Sequence, residues 1–105
     1  MALQIVTKKR FIAAMKKVTG FLKQDWDMSV AEDFVNLINS KITLLASQPK
    51  IGATTAVEKT RSVLVGKGHQ NKIYYRVEKN KLIIVNLKDI RKNPKQNRYH
   101  LKNFT

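Results

Sequence analysis

The residues able to do chemistry in this chain are cations and a few proton carriers, and they crowd into its second half. Arg61, Lys67, Lys72, Arg76, Arg91 and Lys92 supply positive charge, while His69, Tyr99 and His100 can take or give a proton. Guanidinium and ammonium groups in such number grip polyanions: arginine forks onto phosphate or carboxylate oxygens, and lysine acts as a compact point charge. Beside a histidine or tyrosine, the same cations can stabilise an anionic transition state while the neighbour moves a proton. Other chemistries lack their parts. The two histidines and seven scattered acids show no metal-ligand spacing, and there is no Gly-rich phosphate loop or Ser/His/Asp set, so neither a metal nor a cofactor is expected. Each candidate also has a plainer reading. Arg61, Lys67, Lys72 and Arg76 serve as well as solvated cations of a basic face, and His69 as an exposed turn residue.

The charge behind these residues is uneven. The chain of 105 residues carries a formal +14, with six Lys/Arg against one acid in residues 1–25, two against three in 26–56 and thirteen against three in 57–105. Such a field attracts phosphate backbones, anionic lipid or an acidic protein. With 43% hydrophobic residues, the charge overlies an ordinary core, and the length suits a single domain over 1–105. No cysteine is present, which excludes a disulfide scaffold and fits a reducing, cytoplasmic location. Residues 1–6 lack a signal-peptide pattern and no apolar run is long enough to span a bilayer, so neither export by that route nor a membrane partner is expected.

The elements that must position the cations follow from periodicity. Residues 3–7 suit a short strand. Phe11, Met15, Val18, Leu22 and Trp26 then recur at spacings of three and four, which predicts an amphipathic helix containing Gly20 and places Trp26 in the core at the helix corner. Ser29 and Glu32 form a capping box that opens a second helix, whose stripe is Phe34, Val35, Leu37, Ile38, Ile42 and Leu45, and Pro49 and Gly52 stop it. The short link around Asp27 and Met28 makes the pair an antiparallel hairpin. Beyond Gly52 the period becomes two, with strands at 57–65, 72–78 and 81–88 and a tight turn at Lys79 and Asn80, where asparagine tolerates positive φ. Alternation puts Ile73, Tyr75, Val77, Leu82 and Ile84 toward the helices, and Lys72, Tyr74, Arg76, Lys81, Ile83 and Val85 on an opposite, partner-facing surface. The expected fold is α+β, ordered β-α-α-β-β-β, with an antiparallel sheet packed on one face by the helical hairpin and a loosely structured tail over 93–105.

That order, with Gln24-Asp25-Trp26, the run from Leu44 through Pro49 to Gly52, Arg61, Lys72-Ile73-Tyr74-Tyr75-Arg76-Val77 and Asp89-Ile90-Arg91-Lys92-Asn93-Pro94, resembles the RelE/ParE superfamily of bacterial type II toxins, the plasmid stabilisation proteins. The resemblance runs from the first strand to about residue 94. It implies a growth-inhibiting toxin neutralised by a cognate antitoxin, with no small-molecule substrate. RelE-like members are endoribonucleases that cut messenger RNA on the ribosome without a metal; ParE-like members inhibit DNA gyrase.

By the same resemblance the leading expectation is a RelE-like mRNA interferase, with Arg61, His69, Arg91 and Tyr99 as catalytic residues and Lys67, Lys72, Arg76 and Lys92 binding RNA. Lys72 stands where such nucleases carry an arginine, and Arg91 near a second one. Val63 and Val65 stand where they carry lysines, and Tyr99 lies about two residues beyond the family's tyrosine. The alternatives are a non-enzymatic ParE-like gyrase inhibitor and a plain basic RNA-binding module.

Overall fold

In the computed structural model, which describes residues 2–66 and 71–89, the chain runs β1 (Gln4–Thr7), α1 (Lys9–Asp25), α2 (Met28–Ser47), a 3-10 turn (Pro49–Ile51), β2 (Ala53–Thr54), β3 (Arg61–Val65), β4 (Asn71–Glu78) and β5 (Lys81–Asp89). Phe11 of α1 is buried, and Ala14, Met15 and Val18 pack beside it, as the periodicity requires. From α2, Ile38, Ile42, Leu45 and Ala46 meet Val65, Ile73, Tyr75, Leu82, Ile84 and Leu87 of the sheet to form the core. Each large aliphatic side chain buried there contributes about 1.5–3 kcal/mol.

The corner between the helices differs from expectation in two respects. Trp26 is 69% exposed, not core. Helix α1 ends at Asp25, and Trp26, at φ −123° and ψ −103°, has left the helical path that carried the apolar stripe. The cap of α2 is Asp27, not Ser29. Its carboxylate accepts the Val30 N–H at 3.0 Å and the Ser29 hydroxyl at 2.6 Å. A charged acceptor outcompetes a neutral hydroxyl at the positive end of the helix dipole, so the helix begins earlier than a Ser29 cap would allow. The Ser29 hydrogen bond, with that from Val30, holds the Asp27 carboxyl below its ordinary pKa.

The sheet order is β1-β5-β4-β3-β2. The pairs from β2 to β5 are antiparallel, but β1 lies parallel to β5, so the sheet is mixed where a wholly antiparallel one was expected. A parallel neighbour needs a long connection, and the helical hairpin is part of it. The strand expected over 57–65 starts only at Arg61. Ahead of it the Thr55 hydroxyl donates to the Thr60 carbonyl at 2.9 Å and accepts the Val57 N–H at 3.1 Å, folding 55–60 into a turn with Lys59 at φ 62°. In the β4–β5 turn the left-handed residue is Lys79, at φ 56°, and not Asn80. The tail expected to be loosely structured lies outside the described residues.

Candidate functional site

Strand alternation fixes which side chains share the sheet surface away from the helices. On β4 these are Lys72, Tyr74, Arg76 and Glu78, because Ile73 and Tyr75 are core. On β5 the register slips: Tyr74 pairs with Asn86 but Tyr75 with Ile84, leaving Val85 as the extra residue of a β-bulge. The slip sends Leu87 into the core and brings Asn86 and Lys88 onto the open face with Ile83. Simple alternation from Ile84 would have buried Lys88.

Lys72 therefore pairs directly with Lys88. The pairing sets two cationic side chains in directly opposed positions on this face. Arg76 projects from the same face, and its Nε donates to Glu78 Oε1 at 2.9 Å. Such a solvent-exposed pair contributes only about 0–1 kcal/mol. Between the cations, Tyr74 and Ile83 are buried, so the middle of this face is apolar and enclosed where an exposed mixed surface was expected.

Across from β4, strand β3 gives this face a hydroxyl and an aliphatic chain. Ser62 pairs with Tyr74, and Leu64 with Lys72. Val63 and Val65 turn toward the helices, Val65 as a core residue and Val63 packed against it. The lysine positions assigned to them are thus not on the cationic face at all.

Arg61 also sits on the helix side, paired with Tyr75, and its Nη1 donates to the Gly52 carbonyl at 2.7 Å. The 3-10 turn beside it is held by Tyr75, whose hydroxyl donates to the Pro49 carbonyl at 2.7 Å and accepts the Gly52 N–H at 2.9 Å. A Cβ on Gly52 would collide with the Tyr75 ring, so this approach needs glycine. Burial raises the Tyr75 pKa above its ordinary value of 10.0, opposed by the Gly52 hydrogen bond and the Arg61 charge.

The structure thus brings Lys72 and Arg76 together with Lys88 and Asn86, which the sequence reading missed, and places Arg61 on the other side of the sheet. Lys67, His69, Arg91, Lys92, Tyr99 and His100 lie outside the described residues. The break in alternation at Asn86, within Ile83-Ile84-Val85-Asn86-Leu87, was the available signal for the bulge. Among the described residues no helix is long and apolar enough to cross a membrane, and no three of His, Cys, Asp and Glu cluster to hold a metal.

No family model and no curated protein matches the sequence. Solved structures do. A chain from the chromosomal ParDE toxin-antitoxin system of P. aeruginosa superposes with a TM-score of 0.74 at 12% identity, over 84% of this chain and 96% of that one. A conserved hypothetical protein from Helicobacter pylori superposes with a TM-score of 0.53 at 20% identity, over 83% and 93%. At these identities the likeness is one of fold: two helices on a five-stranded mixed sheet, the RelE/ParE-like architecture.

Proposed function

We propose that this chain is the toxin of a type II toxin-antitoxin pair, and that it acts by binding its target rather than by cutting it, as a ParE-like inhibitor of DNA gyrase. The observation that carries this reading is the composition of the sheet face away from the helices, whose middle is enclosed while Lys72, Arg76 and Lys88 stay partly exposed. Strand β3 presents Ser62 and Leu64 there, which supply neither a cation nor a proton carrier, while Arg61 is bonded to Gly52 on the opposite side. Phosphodiester cleavage without a metal needs an acid, a base and fixed cations around one phosphate. Binding an acidic surface needs only the cations. The ParDE system also supplies the structural neighbour with the TM-score of 0.74.

Neutralisation by an antitoxin has a suitable anchor at the helical corner. Met28, 56% exposed, lines a groove of about 450 Å³ with Thr19, Lys23, Ala31, Glu32, Val35 and Asn36, and Trp26, 69% exposed, stands in the link between the helices two residues before Met28. Exposed apolar side chains rimming a concavity are where a partner's helix gains most by burial. Inducing the chain alone is expected to stop growth of the host cell from its cytoplasm, and co-expressing a cognate antitoxin to restore it. Unimpeded growth overturns the toxin assignment. Since Trp26 is the only tryptophan, adding that partner is expected to shift the intrinsic fluorescence to the blue.

The second reading is the RelE-like mRNA interferase. Lys72, Arg76 and Lys88 on one face favour it as a phosphate grip, with His69, Arg91 and Tyr99 in the catalytic roles and Lys67 and Lys92 extending the grip. Cleavage of A-site message in a translating extract by the purified chain decides for it.

A further inference from the structure

We propose that the cleft at the start of β3 is a phosphate-binding site that shares only Arg76 with the sheet face away from the helices and is independent of the gyrase reading. Six residues line this cleft of about 220 Å³: Pro49, Lys50, Lys59, Arg61, Arg76 and Val77. Four are cationic and none is acidic. It opens where β4 outruns its neighbour, since the β3–β4 register ends at Arg61 and Tyr75 while β4 continues against β5 to Glu78.

Its wall is preorganised. Tyr75 clasps Pro49 and Gly52 through its hydroxyl, and the Gly52 carbonyl fixes the Arg61 guanidinium through one of that group's five N–H donors. Lys59 holds a left-handed backbone, φ 62°, a conformation that disfavours any residue with a Cβ and that glycine would adopt freely. A lysine there keeps a cation at the rim against local strain, as residues at binding sites often do. Lys50, Lys59 and Arg61 bring like charges to one cleft, and an anion there relieves their repulsion.

The chemistry favours phosphate over carboxylate. A phosphate offers several acceptor oxygens to the Arg61 guanidinium fork and the Lys50 and Lys59 ammonium groups, whereas Glu78, a carboxylate outside the lining, engages Arg76 in an exposed, weakly held pair. Whole small ligands occupy roughly 300–1,000 Å³, so the smaller volume suits one phosphate group with part of what bears it. The bearer is a nucleic-acid strand or a free phosphate ester.

The test is amide NMR of the labelled full chain titrated with inorganic phosphate, with adenosine monophosphate and with a short single-stranded oligonucleotide. Saturable shifts are expected at Lys50, Gly52, Lys59, Arg61 and Val77. Saturation at far lower concentration by the oligonucleotide identifies a strand as the source; equal or better saturation by the monophosphate identifies a free ester. Lys50 and Lys59 are exposed, so the double variant Lys50→Glu, Lys59→Glu keeps the fold. It is expected to weaken oligonucleotide binding by about tenfold or more and to flatten the log-log salt slope by about two. Lys16→Glu with Lys17→Glu on α1, an equal change of charge, is expected to leave both close to wild type. Shifts scattered over the surface without saturation, or equal losses in the two double variants, overturn the proposal. So does displacement of phosphate by an oligoglutamate peptide at lower concentration than by the oligonucleotide.

Discussion

Tyr75 ties the sheet to the end of the helical hairpin, and its hydroxyl is where the core's stability meets pH. Tyr75→Phe leaves the buried Gly52 N–H without its acceptor, which is expected to cost about 1–3 kcal/mol in a urea unfolding curve. Because burial raises the Tyr75 pKa above 10.0, the folded state holds that proton more tightly than the unfolded chain does. The resulting stability is complete below the ordinary value and is lost as pH rises through the raised one. Wild type is therefore expected to lose more stability than Tyr75→Phe when the pH is taken above that range. Gly52→Ala, which drives a Cβ into the Tyr75 ring, is expected to lower stability by about 1–3 kcal/mol. The sequence offers part of this. Alternation assigns Tyr75 to the helix side, and Gly52 reads as a helix stop. That the two meet, and that Arg61 joins them through the Gly52 carbonyl, depends on where β2 and β3 lie, which no local pattern encodes.

Elements with strong periodicity were readable, and their junctions were not. The stripe from Phe11 through Val18 gave α1, but the same spacing extended one residue too far and drew Trp26 into the core. The capping box at Ser29 and Glu32 was a sound local pattern that lost to the better acceptor two residues earlier. On β5, counting from the turn at Lys79 and Asn80 placed Leu82 and Ile84 correctly. It stopped at Val85, and past that residue the bulge reverses the faces and so decides that Lys88 stands opposite Lys72. Two consequences are measurable in the helices. Gly20 is an exposed helix-interior glycine with open space around its Cα, so Gly20→Ala is expected to stabilise the fold by about 0.5–1 kcal/mol. Asp27→Ala removes the α2 cap and is expected to lower the melting temperature at neutral pH. The Asp27 carboxyl is held below 3.8 in the folded chain, so its contribution is present above that value and fades as pH falls through the lowered one. The difference between Asp27→Ala and wild type is expected to shrink in acid.

At the scale of the whole molecule, part of the charge of +14 gathers, among the described residues of the sheet, into two cationic features that meet at Arg76. One is the strip of Lys72, Arg76 and Lys88 on the open sheet face, and the other is the cleft of Lys50, Lys59, Arg61 and Arg76, with Arg76 shared between them. Composition could announce that charge but not divide it, because the division follows from the bulge in β5 and from β4 outrunning β3. The α+β architecture was readable through its element order, while the parallel placement of β1 beside β5 depends on long-range assembly. If the sheet face away from the helices binds its target without cleaving it, gyrase supercoiling with the purified chain is the decisive assay. Supercoiling is expected to be inhibited, Lys72→Glu with Arg76→Glu to relieve the inhibition, and A-site message in a translating extract to stay intact. Unaffected supercoiling together with cut message would contradict that binding role.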